Sequence, residues 1–173
     1  VNIEYRWGRG DYATLTAAMR DLGRRRPSVI VAASSPAAVA AAKEIHDIPI
    51  VFTGVGGDPV ALGLVDRINR PGGNVTGFVN QNAVLEPKKL EALKELVGAG
   101  RRYGFLYNPR NPNAGTQISS IREAARTLSV EVDLLSIGET GQIEAALEPA
   151  RRDALSGIVV GADPFLSLIS RDA

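Results

Sequence analysis

Short apolar segments and longer segments with helical spacing follow one another along this chain almost without exception. A strand that reaches the next strand through a helix must pair with it in parallel, the helix lying across the sheet. This alternation therefore confines the chain to the α/β class. Val1–Tyr5 alternates apolar and polar residues and reads as an edge strand. Tyr12–Arg25 places Leu15, Ala18, Met19 and Leu22 on one helical face. Ser28–Ala33, Ile48–Thr53 and Asn74–Val79 read as strands, the first two as strands buried on both faces. Pro36–Ile45 and Pro59–Ile68 read as the helices between them. The pattern restarts with a helix over Leu85–Val97. Strands at Arg102–Tyr107, Val130–Ser136 and Gly157–Gly161 then alternate with helices at Ala114–Leu128, Thr140–Leu155 and Pro164–Arg171. The whole reads as seven strands and seven helices.

A break divides the pattern. Arg70-Pro71-Gly72-Gly73-Asn74 is a turn cluster, and Asn80-Gln81-Asn82 is a polar connection with no helix of its own. The expected organisation is a first α/β lobe over 1–79, a crossover over 80–85 and a second α/β lobe over 86–173. Each lobe is a small doubly wound, Rossmann-like domain with a parallel sheet.

Composition removes several classes of function. Twenty basic and nineteen acidic residues leave a net charge of +1, which offers no electrostatic case for nucleic acid. The run Arg24-Arg25-Arg26 closes a predicted helix, where cations favour the C-terminal dipole. The absence of cysteine rules out disulfides, thiolate zinc sites and cysteine nucleophiles. His46 is the single histidine and has no spaced Asp/Glu pair, so neither a metal site nor a common nucleophile–base pair is assigned. No apolar run approaches the roughly 18–20 residues needed to span a bilayer. Val1-Asn2-Ile3-Glu4-Tyr5 lacks the basic start and apolar stretch of a secretion signal. These opening residues read as the middle of a domain, and a truncated chain is expected.

In open α/β sheets ligands bind beyond the carboxyl ends of the strands. Four such ends carry polar residues here: Ser34-Ser35-Pro36, Gly54-Val55-Gly56-Gly57-Asp58-Pro59, Asn108-Pro109-Arg110-Asn111-Pro112-Asn113 and Ala162-Asp163-Pro164. Ser or Asp directly before proline suits a helix N-cap with proline in the first turn. The same geometry leaves backbone N–H groups able to hold a carboxylate. Plain capping explains each motif singly, and their recurrence in both predicted halves favours ligand contact. Gly54-Val55-Gly56-Gly57 is not a phosphate loop, because Pro59 stands where the dinucleotide pattern needs glycine and no Gly-Lys-Ser/Thr triplet occurs. Asp58 and Asp163 could serve acid–base chemistry or pair a ligand ammonium. The lack of any other catalytic group favours the second role.

The motifs then join in order. Ile48-Pro49-Ile50-Val51-Phe52-Thr53, Asp58-Pro59-Val60-Ala61-Leu62-Gly63-Leu64-Val65 and Arg70-Pro71-Gly72-Gly73-Asn74-Val75-Thr76-Gly77 are followed by Leu85–Val97, Tyr107-Asn108-Pro109, Asn111-Pro112-Asn113 and Gly161-Ala162-Asp163-Pro164-Phe165. This series resembles the ABC-transporter substrate-binding proteins related to tryptophan- and tyrosine-type amino-acid binders, with the type I periplasmic binding fold. The resemblance covers nearly the whole chain. It implies two lobes joined by a hinge, with a small-molecule ligand bound between them, delivery to a membrane permease, and no cofactor. Ser34, Ser35, Thr53 and Val55 would line the first lobe's side, Asn108 and Asp163 the second, with Asn80 and Gln81 near a hinge crossing. It further implies a periplasmic or lipid-anchored location, a further strand and helix before the segment matching Val1–Tyr5, and more chain beyond Ala173. A first sheet lacking a strand invites homo-oligomer formation. The expected function is capture of an amino acid or similar carboxylate without chemistry. The alternatives are the effector-sensing domain of a transcription regulator and a doubly wound enzyme acting on a nucleotide or sugar.

Overall fold

The computed structural model describes residues 2–80, 82–98 and 100–169, the side chain of residue 83 excepted. The chain divides into two compact units, Val1–Gln81 and Asn82–Ala173.

In the first unit, helix α1 (Tyr12–Arg24) precedes strand β1 (Ile30–Ala33), helix α2 (Ser35–Glu44), β2 (Ile50–Val55) and β3 (Val75–Val79). The strands are parallel in the order β1-β2-β3, with Ile30 beside Ile50 and Ile50 beside Val75. Ile30, Ala32, Ile50, Phe52, Val55 and Val75 project into one core with Ala38 and Ala41 of α2 and Met19 of α1. Burying side chains such as Ile50 and Phe52 stabilises the unit by about 1.5–3 kcal/mol each. Small alanines on α2 let that helix lie close to the sheet.

Three expectations for this unit change. Residues 2–8 form no strand, because no neighbouring strand supplies their ladder among the described residues; Val1 lies outside those residues. The segment Pro59–Ile68 is a chain of turns rather than a helix. Gly63 adopts φ +68° and breaks the helical path, so that Leu64 turns back into the core, bonding its N–H to the Pro59 carbonyl at 2.9 Å. β1 is not buried on both faces either: Ile30 and Ala32 face the core, whereas Val31 is 65% exposed. Helices cover one face of this sheet, and Phe78 at 75% exposure marks the other. Between Phe52 and Val55 the β2–β3 register shifts, and Gly54 takes φ +64° at the shift. Gly77 sits opposite Phe52, where a Cβ would stand 2.0 Å from the Phe52 carbonyl oxygen.

The second unit opens with a 3-10 turn (Asn82–Val84) and runs α3 (Glu86–Val97), β4 (Arg102–Tyr107), α4 (Ala114–Leu128) and β5 (Glu131–Ser136). A second 3-10 turn (Thr140–Gln142) leads into α5 (Ile143–Arg152), β6 (Ile158–Val160) and α6 (Pro164–Ile169). Its parallel order is β5-β4-β6, so β4 is central. Leu90, Ile121, Ala124 and Ala125 of α3 and α4 pack on Tyr103, Phe105 and Val159 from one face. Ile137, Phe165 and Leu166, with Leu106, Ile143 and Ala146, form a separate cluster with α5 and α6. The expected helix over Thr140–Leu155 is shorter, ending at Arg152, after which Ala154 adopts φ 47°. Six strands and six α-helices stand among the described residues, against the seven of each expected.

Candidate functional site

The second unit contains a topological switch point. β4 leads into α4, on the face shared with α3, whereas neighbouring β6 leads into α6, in the cluster with α5. Chains that leave adjacent strands toward opposite faces open a crevice at the carboxyl ends, the usual ligand position in such sheets. Here that crevice is filled by the protein's own polar groups. Asp163, 4% exposed, accepts N–H bonds from Phe165 (2.9 Å) and Leu166 (3.0 Å) and a bond from Asn108 Nδ2 (3.3 Å) on Oδ1. Its Oδ2 accepts from Asn111 Nδ2 at 2.7 Å. Asn108, 1% exposed, also folds its own loop by accepting the Arg110 N–H at 2.9 Å. Asn111 Oδ1 likewise accepts the Asn113 N–H at 2.8 Å.

Ala162 is held from both sides. Glu86 Oε1 accepts its N–H at 3.1 Å, while Gln117 Nε2 and Asn111 Nδ2 donate to its carbonyl at 2.8 and 3.2 Å. Glu86 is fully buried. Among the described residues its Oε2 accepts no aligned hydrogen bond but lies 3.0 Å from Lys89 Nζ, which also donates to the Val160 carbonyl at 3.0 Å. The loop Gly161-Ala162-Asp163 is thus fixed by α3 and α4 together. Asp163 therefore caps α6 and ties β4's exit to β6's exit. As a direct partner for a ligand ammonium it meets an obstacle, because both its oxygens are already engaged.

The first unit's carboxyl edge is more open. Ser34 caps α2 by accepting the Ala37 N–H at 3.3 Å, and buried Ser35 accepts the Gly56 N–H at 3.0 Å, tying α2 to the loop after β2. Thr53 is exposed at the rim of β2. Asp58 is exposed and accepts the Val60 N–H at 2.9 Å; it starts a turn, since no helix follows it. Val55 departs from expectation. Its side chain is fully buried in the core and cannot line a site, leaving only its carbonyl, which accepts the Asn80 N–H at 2.9 Å. Asn80 is exposed at the end of this unit, and Gln81 lies outside the described residues. An open hollow of about 430 Å³ lined by Leu64, Asp66, Pro71, Asn74 and Val75 lies at the amino end of β3, away from this edge.

Sequence reasoning missed Glu86 and Gln117. Glu86 reads as an ordinary first-turn acid and Gln117 as a polar position within a helix. Only the packing of both against the β6 exit distinguishes them. Among the described residues no group of three or more His, Asp or Glu could hold a metal ion, and no helix is long and apolar enough to cross a membrane.

Parallel α/β units with polar loops gathered at the carboxyl ends of their strands are the construction of the type I periplasmic binding proteins, and solved structures of that class superpose on the chain. A family model described as ABC transporter substrate binding protein matches residues 1–167, and the chain belongs to that family. A tyrosine-binding protein from Clostridioides difficile is 28% identical over 99% of this chain and 51% of its own length. A Streptococcus pneumoniae ABC domain solved in complex with L-Trp shares 23% identity and a TM-score of 0.87, over 99% of this chain and 58% of that one. A conserved domain protein from Vibrio cholerae shares 26% identity and a TM-score of 0.78, over 88% of this chain and 50% of that one. The chain thus spans about half the length of these relatives.

Proposed function

We propose that the chain belongs to the solute-capturing component of an ABC importer, that its cargo is an amino acid or a similar small carboxylate, and that it performs no chemistry on that cargo. The family match over residues 1–167 carries this reading. The amino-acid assignment is supported by the 28% identity to a tyrosine-binding protein. In the first unit, Ser34, Ser35, Thr53 and exposed Asp58 are the proposed ligand groups, hydroxyls and loop N–H groups receiving a carboxylate and Asp58 an ammonium. In the second unit, Asn108 and Asp163 contribute by holding the loops of the switch point, which present backbone groups and Asn side chains. Asn80 is the proposed hinge residue. The loaded protein hands its cargo to a membrane permease and works outside the cytoplasm, free in the periplasm or lipid-anchored.

A thermal-shift comparison of L-tyrosine, L-tryptophan, other amino acids and small carboxylates tests the assignment. A ligand that binds only the native state stabilises it by about 2.7 kcal/mol at a hundredfold excess over its dissociation constant. A rise with aromatic amino acids that Asp58→Ala abolishes supports the reading. No response to any solute, in this chain or in the longer protein, removes it.

A further inference from the structure

We propose that Arg110 is the second unit's contact for the cargo's carboxylate and supplies its opposite charge, a role that rests on the reading of the cargo as an acid. Ligands of open α/β sheets lie beyond the carboxyl ends of the strands. In this chain residue 34 and the segments 56–59, 80–85, 108–113, 137–142 and 161–163 leave the strands there. Arg110 is the single Lys or Arg in all of them. The hydroxyl and N–H groups proposed in the first unit offer a carboxylate hydrogen bonds but no positive charge, and Asp58 beside them is an anion. Holding an anion away from water without an opposite charge is costly.

The fold places the arginine on that edge. Arg110 follows β4, the central strand, and its N–H donates to Asn108 Oδ1 at 2.9 Å. Asn108 is 1% exposed and bonds Asp163 at 3.3 Å, so the buried network of the switch point fixes the root of the arginine. The side chain then crosses toward the exit of β5. A Cβ at Gly138, two residues beyond that strand, would stand 3.5 Å from Arg110 Nε and 3.8 Å from Asn108 Oδ1. The arginine thus lies close over a residue that has no side chain to deflect it. Its Nη2 donates to Glu139 Oε1, in a pair whose side chains are 50% and 60% exposed.

An exposed ion pair adds little stability. What Glu139 does achieve is to aim the guanidinium along the carboxyl edge. A guanidinium carries five N–H donors in a planar fork that matches a carboxylate. Glu139 engages Nη2 among the described residues, which leaves the two N–H groups of Nη1 for a second acceptor. To the backbone groups of the switch point Arg110 therefore adds one charged side chain, anchored at both ends and open to solvent.

Calorimetric titration of this chain and of the longer protein with four probes tests the role. The probes are L-tyrosine, L-tryptophan, tyramine, which lacks the carboxylate, and 4-hydroxyphenylacetate, which lacks the amine. Arg110→Met is expected to weaken both amino acids by about 10- to 100-fold, the range of a lost hydrogen bond to a charged group. Arg110→Lys keeps the charge without the fork and is expected to fall between. Tyramine should not distinguish Arg110→Met from the unaltered protein. Arg101→Met, which removes the same charge near the amino end of β4, should change none of the affinities. Equal affinity of Arg110→Met and the unaltered protein for either amino acid overturns the proposal and leaves the amino-acid reading standing. Equal weakening by Arg101→Met overturns it too. If only 4-hydroxyphenylacetate binds, and Arg110→Met weakens it, Arg110 keeps its role and the amino-acid cargo is removed. Binding of none of the four probes overturns both.

Discussion

Asp58 and Asp163 stand in the same dipeptide, aspartate before proline, yet their replacement by alanine is expected to have very different costs. Asp163→Ala removes the cap of α6, worth about 0.5–2 kcal/mol. It also strips the acceptor from the N–H groups of Phe165 and Leu166 and from Asn108 Nδ2, inside a cluster where Asp163 is 4% exposed. Each buried donor left dry costs about 1–3 kcal/mol. Asn111 Nδ2 loses its 2.7 Å bond but keeps the Ala162 carbonyl at 3.2 Å. These losses share atoms and do not add in full, so the expected cost is about 3–5 kcal/mol. Asp58→Ala removes one 2.9 Å bond at an exposed turn, where water replaces it, and is expected to cost about 0.5 kcal/mol. A chain of two units does not license a single two-state fit, so hydrogen exchange read by mass spectrometry is the suitable assay. Protection in β4, α4 and β6 is expected to fall by about two to four orders of magnitude in Asp163→Ala. The first unit should keep its protection. Asp163→Asn should fall between, since it retains one oxygen for the α6 cap but points an amide NH₂ at that of Asn111. Equal losses for Asp58→Ala and Asp163→Ala would refute the distinction between an exposed turn and a buried network.

Other substitutions and conditions test other parts of the structure. Gly77→Ala forces a Cβ to within 2.0 Å of the Phe52 carbonyl oxygen and is expected to cost more than about 2 kcal/mol, read as lost hydrogen-exchange protection in β2 and β3, whereas Gly73→Ala, with open space around it, should change little. Ala154→Gly relieves a left-handed residue at φ 47° and should raise hydrogen-exchange protection in the second unit by the equivalent of about 1 kcal/mol. The hydrogen bond from Arg6, ahead of the smaller contributions of Arg25, holds the Asp21 carboxyl below its ordinary value of 3.8. A depressed carboxylate contributes stability that is present above its ordinary value and lost as pH falls through the lower folded one. Fluorescence anisotropy of Trp7, the chain's one tryptophan, should therefore report release of residues 2–8 from α1 below pH 3.8 and not at pH 5; Asp21→Asn should abolish that step.

The fold class and most elements were legible because hydrophobic periodicity is a local property. SVIVAA and IPIVFT could hardly be anything but strands, and Leu15, Met19 and Leu22 mark a helical face. What escaped depends on neighbours that a local pattern does not contain. Ile3, Tyr5 and Trp7 have strand spacing, but a strand exists only with a partner. Val31 has the β-branched character of a doubly buried position and stands exposed because helices cover one side of its sheet. Pro59–Ile68 offers apolar spacing for a helix, and one glycine at φ +68° redirects it. The site was legible to the level of loops. Ser34 and Asp163 were readable as caps. The difference between buried Asp163 and exposed Asp58 arises from Asn108 and Asn111, and the side-chain direction of Val55 from the register shift beside it.

The second unit's carboxyl edge buries Glu86, Asn108, Asn111, Gln117 and Asp163 together, and this arrangement is hard to explain by stability alone. Buried charged groups are commonly replaceable by apolar ones of like volume with no loss of stability, and sometimes with a gain. Gln117 Oε1 has no hydrogen-bond partner among the described residues. What the cluster does achieve is direction. Ala162 is held at its N–H by Glu86 and at its carbonyl by Gln117 and Asn111, and Asp163 fixes the residues on either side of the strand exit. An apolar core could fill the same volume but could not dictate where two backbone groups point. A loop ordered in advance loses little conformational entropy when something binds to it, and that saving appears as affinity. The first unit solves the same problem differently, with Gly54 at a register shift, Gly56 tied to Ser35, and an exposed Asp58. One edge is thus rigid and speaks through its backbone, while the other offers hydroxyl and carboxylate side chains with room to adjust. On that division of labour Asp58, and not Asp163, is the carboxylate proposed for the ammonium of an amino-acid cargo.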